Sequence, residues 1–303
     1  MLKTANLPDR LWQGALLIAT AELMFALMGA SIRVLSADLN NGMIVFARNI
    51  VGLGLLLALT LHPSHRGLAT RVPHLHLLRA LAGLGAMYCF FYAIANMPLA
   101  NAMLLKLTAP LFIPLVALAW LDERFTWHVV AALAIGFSGV GLILTPDFAQ
   151  FAPVTMVALL GGALAAVAKV TVRRLSRTEP AARTVFYFAA IASAVSLLPL
   201  LWMWQTPTPR MLGWMLILGI LATAGQFLLT RGMACAPAAR LGPFAFLSVV
   251  FGALLGWFFW DEVLYWSTAF GALLVLASGL IASAGRQPRR PEVGTPLEQT
   301  GTL

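Results

Sequence analysis

Charge is scarce in this chain, and negative charge scarcer still. Only 10% of the 303 residues are charged, eleven acidic against twenty Lys or Arg. A soluble domain carries about 25% charged residues, so too few are present here to cover a water-facing surface. The two cysteines, Cys89 and Cys235, lie in or beside apolar segments and form no CxxC, which argues against a disulfide framework or a zinc site. No HExxH, GxSxG or GxxxxGK[ST] occurs, so the sequence offers no catalytic residue, no metal site and no cofactor. What remains is 60% hydrophobic, with a mean hydropathy of +0.87, and takes lipid as its solvent. The first apolar run begins at Leu11 and outlasts the roughly 7–15 residues of a signal-peptide core, so it reads as a retained span.

A spanning helix needs about 20 mostly apolar residues. Ten segments qualify: 11–34, 42–61, 75–95, 99–120, 126–145, 153–172, 183–204, 211–230, 237–259 and 264–284. Residues 1–10 form a short tail, and the polar, Pro- and Gly-containing 285–303 reads as a disordered one. With the N-terminus cytoplasmic, the inner ends collect Lys3, Arg10, Arg66, Arg71, Arg124, Arg173, Arg174, Arg177, Arg183, Arg231, Arg240 and the Arg residues after 285, while the outer ends keep little beyond Arg33 and Arg210. That bias places both termini inside and accounts for the +9 charge without nucleic acid. His62, His65, His74 and His76 read as part of a solvated basic loop rather than as metal ligands.

The chain also repeats itself. Laid over Gly232–Trp266 at a shift of 139, Ala93–Trp127 matches at Pro98/Pro237, Phe112/Phe251, Asp122/Asp261, Glu123/Glu262 and Trp127/Trp266. A shift of 140 aligns Arg33-Val-Leu-Ser36 with Arg173-Arg-Leu-Ser176. Each copy, 11–145 and 153–284, holds five spans, so the two copies have opposite orientations, an architecture of secondary transporters. The expected fold is an all-α integral membrane protein, ten transmembrane helices in two inverted five-helix repeats.

On these residues a family resemblance appears. "FARNIVGLGLLLAL" and "YAIANMPLANAMLLKLTAPLFIPLVALAWLDERFTWHVVAALAIGFSGVGLIL" resemble segments of the drug/metabolite transporter superfamily, EamA branch. In that family a small-residue turn leads into a helix with a central proline, here Pro110, then a cytoplasmic Glu, here Glu123, and a helix with Gly136 and Gly139. The second copy repeats this with Pro237, Glu262 and Gly279 but has Val249 in place of the central proline. The resemblance implies a transporter of small organic solutes and leaves the substrate open.

Four charges stand inside the spans: Glu22, Arg48, Lys106 and Lys169. Arg48 and Lys169 are within reach of an interface by snorkelling. Lys106 stands about 12 Å by helical rise from Pro98 and about 24 Å from Asp122, too deep to reach water easily. A carboxylate as short as Glu22 cannot snorkel, and a charge at this depth costs about 2.5–3.5 kcal/mol on insertion scales. In the repeat Lys106 overlays Ala245, Arg48 overlays Phe188 and Glu22 overlays Gly162, so the charges are one-sided, as one asymmetric site on a two-fold scaffold requires. The expected substrate site is Lys106, Glu22, Arg48, Tyr88, Tyr92 and Gln226, with Glu22 the candidate proton-coupling group. The expected function is secondary transport, by alternating access across the bacterial inner membrane, of a small solute with an anionic group such as an amino acid or organic acid. The alternatives are efflux of cationic or amphiphilic compounds and, more remotely, a membrane-embedded enzyme acting on lipid-linked substrates.

Overall fold

The computed structural model describes residues 11–60, 69–109, 111–113, 115–116, 127–144, 148–175, 178–179, 181–233, 235, 244–245, 247–263 and 265–284. Among these residues there is no strand. The helices are α1 (Leu11–Leu35), α2 (Asn41–Thr60), α3 (Pro73–Asn96), α4 (Leu99–Lys106), α5 (Trp127–Leu144), α6 (Phe148–Leu175), α7 (Ala181–Leu197), α8 (Leu200–Met203), α9 (Pro209–Met233), α10 (Leu247–Trp260) and α11 (Trp266–Ala284). Stretches within α1, α3, α6 and α9 are long and apolar enough to cross a membrane; those in α2, α7 and α10 are shorter apolar helices.

Local chemistry sets the boundaries. Asn40 accepts the Met43 amide on its Oδ1 at 3.0 Å, an N-cap that starts α2, and its Nδ2 donates to the Met203 carbonyl at 2.7 Å. Pro73 opens α3, where a missing N–H costs nothing. The expected seventh span, 183–204, is not continuous: α7 stops at Leu197, and Pro199 heads the one-turn α8. The sixth span is longer than expected, because α6 runs from Phe148 through Pro153. The fourth departs most. A helix over 99–120 was expected, but α4 ends at Lys106 and the chain turns at Leu107 and Thr108 before helical residues resume at 109.

The packing is interleaved between the copies. α1 lies along α9, and α3 lies along α6; α1 meets α10, and α4 meets α6; α2 touches α9, and α3 touches α7. With the helices paired through the repeat, each of these contacts has its counterpart, and α2·α7, α4·α10 and α5·α11 are each their own. The tertiary structure therefore carries the pseudo-two-fold relation that the repeat announces. Side chains at the axis are small, as helix association in lipid requires. A Cβ on Gly29 of α1 would collide with Met103, one on Gly252 of α10 would stand 3.1 Å from Met103, and one on Gly162 of α6 would stand 2.8 Å from Thr108. α4 is thus held close against α1, α6 and α10 at the point where it breaks.

Candidate solute-binding site

The break in α4 creates the site. The sequence puts Pro110 four residues after Lys106, so the amide that would bond the Lys106 carbonyl in a continuous helix does not exist. The turn tightens instead: Leu107 and Thr108 donate to the Leu104 and Leu105 carbonyls at 2.9 and 3.1 Å, and the Thr108 hydroxyl caps the Leu105 carbonyl at 2.6 Å. Lys106 is therefore the last residue of a half-helix, at the end that the helix dipole makes partly negative. A cation at this depth receives its first compensation from its own backbone. The second comes from aromatic faces, since Nζ lies 4.6 Å from the Phe25 ring centroid of α1 and 5.5 Å from that of Phe90 on α3.

Glu22 supplies the third. It is 4% exposed, one turn before Phe25 on α1, and within electrostatic range of Lys106. Ser248, at the start of α10, stands beside the carboxylate, whereas its Oε2 is buried with no hydrogen-bond partner. Lys169 of α6 is within electrostatic range of both Glu22 and Lys106. Helices of both repeats thus converge on one carboxylate and two ammonium groups, a net positive centre.

The other expected site residues are distributed differently. Tyr88 is half-buried on α3, two residues from Phe90, with its hydroxyl buried and unpartnered. Tyr92 and Gln226 lie on exposed faces. Arg48 is set apart from Lys106, donating to the neighbouring Asn49 Oδ1 at 3.1 Å and lying in range of Arg79 on α3. The sequence reading passed over Arg79, although it lies within the third span, eleven residues before Phe90 and so on the same helical face. His76 is a correction. It was expected in a solvated loop but is 1% exposed, stacked on Tyr187 with ring centroids 4.5 Å apart. His62 and His65 lie outside the described residues, and no group of three or more potential metal ligands occurs among those described.

The two ends of the bundle carry polar ties between the repeats. At one end, Arg33 at the close of α1 stands 2.6 Å from Glu262 in the α10–α11 connector and donates to the Met97 carbonyl at 2.7 Å. Glu262 Oε2 accepts the Leu99 amide at 2.8 Å, capping α4. Gly256 leaves room for this carboxylate, since a Cβ there would press on Glu262 and force it to shift. The connector folds back through Asp261, whose φ of 52° is left-handed. Burial pushes the Glu262 carboxyl up from the usual carboxylate range, and Arg33 and the Leu99 amide pull it back only in part. At the other end, Thr70 donates to Glu179 at 2.7 Å, and Arg183 pairs with the same carboxylate. The Thr70 hydrogen bond, then Arg183, holds the Glu179 carboxyl below its usual value.

Comparison with known proteins gives this arrangement its context. The model of the EamA-like transporter family matches twice, over residues 12–145 and 153–284. The chain belongs to the EamA-like transporter family. This EamA-like protein is 33% identical to the Pseudopaline exporter CntI of Pseudomonas aeruginosa strain UCBPP-PA14, over 91% of this chain and 97% of the relative. It is 25% identical to the S-adenosylmethionine uptake transporter of Rickettsia bellii, over 82% and 85%. A solved crystal structure shares the fold at a TM-score of 0.62 and 20% identity, covering 89% of this chain and 96% of that one. The EamA-like chain is thus a membrane protein of a transporter family, and the family and its relatives point to transport rather than catalysis.

Proposed function

We propose that this EamA-like protein is a secondary carrier that moves a small organic solute with an anionic group across a bacterial plasma membrane by alternating access. The observation that carries the reading is Lys106 at the end of a broken half-helix, opposite Glu22, where helices of both repeats meet. Broken helices at the midplane are where carriers of this architecture bind their cargo. The centre is net positive, with Lys106 and Lys169 against Glu22, and an incoming carboxylate or phosphate balances it. The relative at 33% identity is named an exporter, which favours outward transport here.

In the alternating cycle the Arg33–Glu262 tie closes one end. The repeat aligns Glu262 with Glu123 and Arg33 with Arg173, so the sequence offers residues of the same kinds for the opposite end. The side chains of Glu123 and Arg173 lie outside the described residues. With the N-terminus cytoplasmic, Arg33 and Glu262 lie on the outer face.

Glu22 suits proton coupling, since burial favours the neutral form of a carboxyl group whereas the cations that face it favour the charged form, so an arriving solute can tip the balance. The competing role for Glu22 is counter-ion to a cationic or amphiphilic cargo, which its unpartnered Oε2 would meet. A thermal-shift screen of purified protein against metabolite classes, followed by counterflow in proteoliposomes with the strongest hit, tests the proposal. Lys106→Ala is expected to abolish both responses while inserting normally, and Lys106→Arg to restore them only in part. Normal apparent affinity in Lys106→Ala overturns it.

A further inference from the structure

A second cationic cluster lies on α3 well away from Lys106. Arg79 is six residues into α3, about 9 Å by helical rise from Pro73, and about 16 Å along the same face from Phe90. Its Cζ sits 3.7 Å from the ring centroid of Phe188 on α7, and its Nε and Nη1 are buried without a hydrogen-bond partner. Arg48 of α2 is close enough to repel it. His76, one turn earlier on α3, is almost wholly buried, and neither of its ring nitrogens has a partner. The carboxylate near His76, Glu179, is already engaged by Thr70 and Arg183. Arg79 and His76 therefore bring buried nitrogens together that lack an acceptor among the described residues, in range of Arg48, whose Nη1 is given to Asn49. Buried donors in native structures are almost always satisfied, so such a convergence marks a place for an acceptor.

We propose that Arg48, Arg79 and His76 form a second anion subsite, between α2, α3 and α7, that takes the oxygens of a phosphate or carboxylate group. An oxyanion there receives charge-assisted hydrogen bonds from Arg79 Nε and Nη1 and a further one from His76, and it separates the two like-charged guanidiniums. Two sources fit this chemistry: a second acidic group on an elongated solute, or the phosphate of a lipid headgroup reaching in from the Pro73 end of α3. The subsite deepens the proposed function, since a solute held at both Lys106 and Arg79 carries two acidic groups more than 10 Å apart. It stands without that function as well, because its donors are orphaned whatever Lys106 does.

The test uses full-length protein in neutral detergent, with inorganic phosphate as the probe and thermal unfolding as the readout. Phosphate at ten times its dissociation constant is expected to raise the wild-type midpoint by roughly 2–6 °C. Arg79→Gln is expected to lose that response and, having shed an unpaired buried cation, to melt no lower than wild type without phosphate. Arg79→Lys is expected to keep part of the response, and Lys106→Ala all of it. Phosphatidylglycerol micelles that abolish the phosphate response in wild type assign the site to a lipid headgroup; micelles without effect assign it to the solute. An equal phosphate response in wild type and Arg79→Gln overturns the proposal. A response lost in Lys106→Ala but kept in Arg79→Gln overturns it too, while leaving the Lys106 reading intact.

Discussion

Removing Arg33 while leaving Glu262 in place tests how the closed end is held. The charge centres of the pair stand about 4 Å apart, which at an effective dielectric of ~20 gives an attraction of about 4 kcal/mol. Desolvation returns much of this, as the raised Glu262 carboxyl shows, so the intact pair adds little net stability. Arg33→Met is harsher than that balance, because it strands a carboxylate already packed against Gly256 and the Leu99 amide. Partial hydration at a side chain 12% exposed softens the loss to about 2–3 kcal/mol, which amounts to roughly 30- to 150-fold more frequent opening. Hydrogen exchange read by mass spectrometry over residues 97–100 and 261–265 reports that opening directly. The pH dependence has a definite sign. A carboxyl whose value is raised in the closed form favours that form when protonated, so acidification repairs Arg33→Met, and closure weakens again as pH climbs through the raised value. The double variant Arg33→Met/Glu262→Gln exchanges nearly as wild type at neutral pH. Unchanged exchange in Arg33→Met, or a defect that grows on acidification, refutes the reasoning.

Glu22→Gln is expected to lose solute accumulation driven by a pH step in proteoliposomes yet keep exchange at equal pH; wild-type protein indifferent to the step removes proton coupling. Gly162→Val places a side chain against Thr108 and Phe112 and is expected to cost about 1–3 kcal/mol, read as a lower midpoint of thermal unfolding. Glu179, held below its usual 4.5, ties the 69–72 segment to α7 at neutral pH, and the tie is lost as pH falls through the lowered value. Exchange at residues 69–72 is therefore expected to rise only below about pH 4.5, and in Glu179→Gln to be raised at every pH.

Much of the fold was legible because lipid imposes simple rules on a sequence. Apolar runs announce helices, and Asp261-Glu262 repeating Asp122-Glu123 announces two related halves whose contacts then interleave. Glu22 and Lys106 were legible because a charge inside such a run is rare, and the structure brings them together. The break after Lys106 was not, although its cause stands in the sequence. Pro110 stood inside a single expected span, 99–120, whereas the backbone tightens into a turn before it. Arg79 escaped because an arginine a turn or two inside a helix end is ordinarily a snorkelling one; its spacing from Phe90 was the available signal. The Arg33–Glu262 tie escaped because it joins opposite halves of the chain, and no local pattern encodes a partner that distant.

The glycines around α4 set terms for how such proteins diversify. Gly29, Gly162 and Gly252 let three helices press against the broken one, and a single added methyl at any of them pushes on Met103 or on the Thr108 turn. Backbone placement is therefore the expensive variable in this lineage, and side chains facing the gap are the cheap one. A carrier built this way acquires a new cargo by exchanging residues such as Phe25 or Phe90, not by moving its helices. Relatives named for pseudopaline and for S-adenosylmethionine are then expected to differ at those lining positions and to agree in small residues wherever α4 is gripped.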